Sequence, residues 1–231
     1  MEIIPAVIPQ SIHDIRAHVA GIYDLVRTIH LDFCDGKFAG PVTWPANGQD
    51  ERELSMIMHE EDGMPYWNEV EYEFHLMCQN SVENMEMYQR LGPRRIIFHL
   101  EAEDTENDAF KNYLEGIDLY IRDLIEFGIA IKSDTPLETL YPYISHIDFV
   151  QIMSIEKLGS HGEPFLESSI DRVRTLHEKY PDLPISVDGG EDFDNVHALK
   201  DAGATRLVIG GAIWKSGNAR AAIEEFESMF N

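Results

Sequence analysis

Thr28 to Phe38 reads Thr-Ile-His-Leu-Asp-Phe-Cys-Asp-Gly-Lys-Phe, which sets two side chains of complementary chemistry, His30 and Asp32, two residues apart. The stretch begins as an apolar β-type run and ends in a glycine turn, so both side chains project from one face of a strand. An imidazole and a carboxylate on one strand face make half of a metal site. The same pair also fits a buried couple that only packs. Further donors brought to the same place by other segments would decide between the two.

The elements that could position such donors alternate along the chain. Glu2 to Ile8 is a short apolar run. Ser11-Ile-His-Asp14 then forms a capping box, and Ile12, Ile15, Val19, Ile22 and Val26 follow at helical spacing. After the second strand, Ala39 to Asn68 is irregular, with one short helix expected near Asp50 to His59. Glu69 to Met77 alternates Val70, Tyr72 and Phe74 with Glu71, Glu73 and His75, a third strand whose last inward position is His75. Val82 to Leu91 reads as helix and Arg94 to Leu100 as strand. Phe110, Leu114, Ile117, Ile121 and Leu124 predict one strong helix stopped by Gly128. Strands are expected at Ile129 to Lys132, His146 to Met153, Ile185 to Asp188 and Arg206 to Gly210, with helices near 136–143, 167–180, 192–203 and 217–230. Eight strand–helix units without a composition break predict an α/β fold, a single-domain (β/α)₈ TIM barrel over 1–231 with an irregular insertion around 39–68.

In such a barrel the active residues sit at the carboxyl ends of the strands. His30 and Asp32 hold that place after strand two, His75 after strand three, His99 and Glu101 after strand four, Lys132 after strand five, Met153 after strand six and Asp188 after strand seven. His30, Asp32, His75 and Asp188 bring two imidazoles and two carboxylates to the mouth. That set suits Zn²⁺, Mn²⁺, Fe²⁺ or Co²⁺ better than Ca²⁺ or Mg²⁺, with a polar core network as the alternative. His99 either supports a ligand or is a satisfied histidine at the mouth, and Lys132 is expected to pair with a neighbouring carboxylate. Gly189-Gly190 and Gly210-Gly211 close strands seven and eight, each expected at the start of a helix, where backbone N–H groups form the usual barrel phosphate site.

Composition narrows the partners. Lys and Arg total 18 against 42 Asp and Glu, a formal net charge of −24, which argues against nucleic acid, anionic membranes and acidic proteins. An anionic ligand would need a site with local positive potential. No run reaches the roughly 18 apolar residues of a membrane span. The N-terminal Met-Glu-Ile-Ile-Pro-Ala-Val-Ile-Pro has neither a basic region nor a long apolar core, so a cytoplasmic location is expected. The two cysteines, Cys34 and Cys78, are read as free thiols in a reducing compartment.

His30-Leu-Asp-Phe-Cys-Asp-Gly36, Phe74-His-Leu-Met77, Phe98-His-Leu-Glu-Ala102, Ala130-Ile-Lys-Ser-Asp-Thr-Pro136, Met153-Ser-Ile-Glu156, Val187-Asp-Gly-Gly190 and Gly210-Gly-Ala-Ile213 together resemble the ribulose-phosphate 3-epimerase family, in the family's order and over nearly the whole chain. The resemblance implies a metal-dependent epimerase interconverting D-ribulose 5-phosphate and D-xylulose 5-phosphate, with one divalent metal ion per subunit. It implies that His30, Asp32, His75 and Asp188 hold the metal and that Asp32 and Asp188 also move the proton. It further implies an apolar wall at Met77, Met153 and Cys34, where Cys34 replaces the family's usual methionine, and a homo-oligomer. Pro9 stands where a serine is usual, and the separation of His30 from His75 is longer than in the family. The mobile loop after strand six reads Lys157-Leu-Gly-Ser-His-Gly-Glu-Pro-Phe165, longer and less glycine-rich than usual. In it His161 and Gly162 are assigned to the phosphate, with an exposed His161 as the alternative. These departures fall on substrate contacts, so a hexulose-phosphate (allulose 6-phosphate) 3-epimerase and a non-catalytic sugar-phosphate-binding barrel are the competing readings. Related decarboxylases with an Asp-x-Lys-x-x-Asp motif are disfavoured because position 34 is Cys.

Overall fold

The computed structural model describes residues 1–160 and 162–230. Its strands are β1 (Glu2–Val7), β2 (Thr28–Cys34), β3 (Glu71–Met77), β4 (Arg95–His99), β5 (Glu126–Ile131), β6 (Phe149–Met153), β7 (Ile185–Asp188) and β8 (Arg206–Ile209). Each pairs in parallel with the next, and β8 closes on β1, giving the expected eight-stranded barrel. The helices are α1 (Ile12–Ala20), α2 (Glu51–Met58), α3 (Met85–Arg90), α4 (Ala109–Glu115), α5 (Leu119–Leu124), α6 (Ser168–Lys179), α7 (Val196–Ala202), α8 (Gly211–Trp214) and α9 (Ala219–Ser228). Among the described residues no helix is long and apolar enough to cross a membrane.

Strand parity divides the core. Ile29, Leu31 and Phe33 of β2 join the large cluster between barrel and helices, while Cys34, Met77, Ile97, Ala130, Phe149 and Met153 form a separate cluster within the barrel. Below it the barrel interior is ionic. Arg95 reaches Glu2 at 3.1 Å and both Glu73 and Glu126 at 3.3 Å, and Arg206 reaches Glu2 at 3.4 Å. Arg206 also lies over the Phe149 ring at 4.7 Å. Buried charges persist only when paired and hydrogen-bonded in this way.

Several local expectations need correction. Gly128 does not stop a helix; it lies inside β5, where a Cβ would come within 2.5 Å of the Phe149 ring, so its role is steric. The helix expected over 110–124 is broken into α4 and α5 at Gly116–Asp118, and Leu119, Tyr120 and Leu124 are left exposed. Of the helices expected near 82–91 and 136–143, the first opens with a 3₁₀ turn at Ser81–Asn84 and the second is only a 3₁₀ turn, Leu137–Leu140. At α1 the capping box forms: the Asp14 N–H donates to Ser11 Oγ at 3.0 Å, but the reciprocal bond comes from the N–H of Gln10. The stretch 39–68 is folded onto the barrel, with Trp44, Ile57 and Met64 buried in the outer core. Cys34 and Cys78 are free and buried.

Candidate active site

Register brings the donors together before any side chain is considered. In the β2–β3 ladder His30 lies opposite Glu73 and Asp32 opposite His75, while Met153 pairs with Asp188 across β6 and β7. His30 Nε2 lies 3.2 Å from Asp32 Oδ1 and 3.9 Å from Asp188 Oδ2. His75 Nδ1 lies 3.0 Å from Asp32 Oδ1 and 3.5 Å from Asp188 Oδ2. Metal–nitrogen and metal–oxygen bonds of about 2.0–2.1 Å at tetrahedral angles would set donors about 3.3–3.4 Å apart, and these separations bracket that spacing. The four buried side chains, with donor atoms all within 4.8 Å of one another, could therefore hold a metal ion.

The electrostatics agree with that fit. Burial disfavours charge on His30 and His75, yet Asp32 and Glu73 hold the His30 imidazolium well above its ordinary range, and Asp188 and Asp32 raise His75. Burial likewise resists the charge on Asp32, and the two histidines outweigh it and keep the carboxyl below its usual range. Two carboxylates at this spot thus draw two positive charges, which a divalent cation supplies without protons.

The surrounding side chains orient the donors. His30 Nδ1 donates to Glu73 Oε1 at 2.7 Å, and Glu73 Oε2 accepts from Arg95 at 3.3 Å, so the ring is fixed with Nε2 toward the aspartates. Gln151 Nε2 donates to Asp188 Oδ2 at 3.0 Å. His75 Nε2 is buried without a partner among the described residues, and its ring is held by stacking on His99, 5.5 Å between centroids. His99 therefore supports a donor of the cluster. Its Nδ1 meets Glu101 at 2.5 Å, and burial, aided by the charges of His75 and Lys132, pushes its pKa down to about 4. Lys132 is corrected: its backbone N–H donates to Glu101 at 2.8 Å, while its ammonium lies 4.5 Å over the Phe38 ring and pairs with no carboxylate among the described residues.

Above the cluster lies a small cavity of about 40 Å³. Ala6, Asp32, Met77, Met153, Asp188 and Val208 line its inner part, and Gly159, Gly162, Glu163 and the pairs Gly189-Gly190 and Gly210-Gly211 its rim. Pro9 does not reach the wall, where β1 presents Ala6 instead. Cys34 is also absent from it; the sulfur packs behind, against Gly159. His161 lies outside the described residues.

The glycine pairs do not share one geometry. Gly210-Gly211 opens α8, which has only four residues and is tied to β1 by the Trp214 indole N–H donating to the Ala6 carbonyl at 2.6 Å. Gly189-Gly190 does not start a helix, since α7 begins at Val196. The Gly189 N–H already donates to Glu191 Oε2 at 2.8 Å and is not available to a ligand. Gly190, at φ +78°, passes so close to Phe165 that a Cβ would come within 2.8 Å of its backbone. Glu191 itself is buried and accepts from Ser154 Oγ at 2.9 Å; burial, reinforced by Asp188, pushes its pKa up to about 8.

Glu73, Gln151, Glu191 and Glu163 escaped the reading of the sequence. Glu73 alone left a signal there, because it shares the inward parity of His75 on β3. The others depend on loop geometry and on β6 register.

Residues 2–214 match the model of the ribulose-phosphate 3 epimerase family. The chain is 30% identical over 146 residues to a ribulose-phosphate 3-epimerase of Schizosaccharomyces pombe, a match spanning 63% of this chain and 60% of that relative. It is 26% identical over 197 residues to one of Eremothecium gossypii, spanning 84% and 78%. A solved 3-hexulose-6-phosphate synthase shares the fold over the full length of both chains, with a TM-score of 0.65 and 16% identity. The chain belongs to the ribulose-phosphate 3-epimerase family, a family of isomerases.

Proposed function

We propose that this protein inverts C3 of a ketose phosphate, interconverting D-ribulose 5-phosphate and D-xylulose 5-phosphate, with Asp32 and Asp188 as the proton-transfer groups. One observation carries the reading. Asp32 and Asp188 stand on the wall of one cavity, and each commits a single oxygen, Oδ1 and Oδ2 respectively, to the histidines. The second oxygen of each makes no hydrogen bond among the described residues and is left for a ligand.

Inversion at carbon removes a proton from one face and returns one to the other, so it needs two such groups. One carboxylate takes the C3 proton onto its uncommitted oxygen while the other, protonated, delivers from the opposite side. Met77 and Met153 line the space between them and keep water from the carbanionic carbon. Gly162, Gly190, Gly210 and Gly211 hold the phosphate by close backbone approach. Positioned acid–base groups contribute about 10²–10⁴-fold, which alone is too little for a carbon acid. His30, Asp32, His75 and Asp188 would hold one Zn²⁺, Mn²⁺, Fe²⁺ or Co²⁺, which supplies Lewis-acid stabilisation of charge developing on the sugar oxygens.

The test is incubation of the metal-loaded protein with D-ribulose 5-phosphate and, separately, D-allulose 6-phosphate in deuterated water. Deuterium at C3 of the pentulose is expected, at a higher rate than in the hexulose. Faster exchange of the hexulose would reassign the substrate, and binding without exchange of either would leave only a sugar-phosphate-binding barrel.

A further inference from the structure

We infer that Lys215 is a specificity-determining residue of this site, supplying the positive charge that selects a phosphorylated substrate; the inference rests on the placement of the phosphate at the glycine rim. Lys215 directly follows α8, four residues beyond Gly211. Its side chain turns back over the rim: a Cβ built on Gly162 would overlap the Lys215 ammonium, and Cε lies 3.5 Å from the same point. Gly162 in turn lies against Gly211, where a Cβ would come 3.4 Å from the Gly162 nitrogen. The ammonium is thus beside the meeting point of the loops after β6 and β8, which both line the cavity.

Charge makes this placement consequential. The charged side chains lining the cavity are Asp32, Glu163 and Asp188, all acidic, in a chain of formal net charge −24. A phosphate monoester carries nearly two negative charges at neutral pH. Backbone N–H groups alone would have to hold it against Glu163, whose Oε1 accepts from Ser160 Oγ at 2.9 Å on the same rim. Lys132 and Lys157 line a neighbouring cavity on the far side of Gly159 and Ser160. A lysine ammonium binds phosphate as a point charge, so its effect falls on the charge of the ligand rather than on the sugar.

The test compares Lys215→Met, Lys215→Arg and the control Lys200→Met, which removes the same charge from the side chain that lies over Phe230. Lys215→Met is expected to raise KM for D-ribulose 5-phosphate by about 10–100-fold, with kcat changing much less. It should weaken binding of inorganic phosphate, measured by calorimetry, by a similar factor and flatten the dependence of KM on ionic strength. Lys215→Arg should recover most of the loss, and Lys200→Met should stay within about twofold of the parent. Unchanged phosphate affinity in Lys215→Met would overturn the assignment, as would an equal loss in both lysine-to-methionine variants. A parent that epimerises neither ketose phosphate would defeat the functional reading instead, while the calorimetric arm would still decide the role of Lys215.

Discussion

Replacing Glu73 by Gln tests whether the cluster is built for a metal or is a polar core that only packs. Glu73 is fully buried, 2.7 Å from His30 Nδ1 through one oxygen and 3.3 Å from Arg95 through the other. The variant keeps the shape and one acceptor but loses the charge that fixes the His30 ring and raises its basicity. Loss of such a supporting partner weakens metal binding about 10–100-fold, or about 1.4–2.8 kcal/mol. Breaking a buried ion pair typically costs about 3–5 kcal/mol of stability. The lower end is expected here, because Arg95 keeps Glu2 at 3.1 Å and Glu126 at 3.3 Å. Competition against a chromophoric chelator measures the affinity, and urea unfolding of the metal-free protein measures the stability. A folded variant with metal affinity within twofold of the parent would refute the reasoning, since Glu73 would then serve only as counter-ion to Arg95.

Gly159, at φ +76°, carries the loop after β6 against the segment following β2, and a Cβ there would collide with the Gly40 carbonyl oxygen. Gly159→Ala should cost about 1–2 kcal/mol of left-handed strain and open that contact, lowering kcat/KM about tenfold or more; an unchanged value would show that the contact is incidental. Glu191 gains stability from being neutral: its pKa rises from 4.5 to about 8 on folding, so this contribution is complete below pH 4.5 and is lost as pH rises through 8. Glu191→Gln should therefore lose less stability than the parent between pH 5 and 9, by up to about 4 kcal/mol, and parallel stability curves for the two proteins would contradict this. Trp44→Ala should cost about 3–5 kcal/mol in denaturant unfolding, because the indole is fully buried where 39–68 packs on the barrel; a cost below about 1 kcal/mol would show that this stretch is dispensable to the fold.

The barrel was legible because parallel strands covered on both faces read as short apolar runs and their order follows from alternation with helices. The meeting of His30, Asp32, His75 and Asp188, which could hold a metal ion, was legible for the same reason, since strand parity and strand ends locate side chains without any knowledge of loops. Glycine roles and side-chain partners were less legible. Gly128 resembled a helix stop because glycine's two uses, a permissive backbone and an absent side chain, are the same letter in sequence. Gly189 resembled a free N–H donor because nothing nearby in the sequence reveals that the carboxylate of Glu191 turns back onto it. Lys132 was expected beside a carboxylate, and Glu101 is indeed its neighbour, but it meets the backbone N–H while the ammonium covers Phe38. Glu73 was passed over although its parity was plain, because a buried glutamate is uncommon unless a partner such as Arg95 arrives from another strand.

Deuterium entry at C3 in Asp32→Asn and Asp188→Asn, each shown to be folded and metal-loaded, with D-ribulose 5-phosphate in deuterated water, is the most direct test of the two carboxylates. Amides cannot take up the proton, so both variants should lose exchange by at least about 10²-fold, the low end of what a positioned acid–base group contributes. Exchange at the parental rate in either variant would contradict the assignment of these two carboxylates.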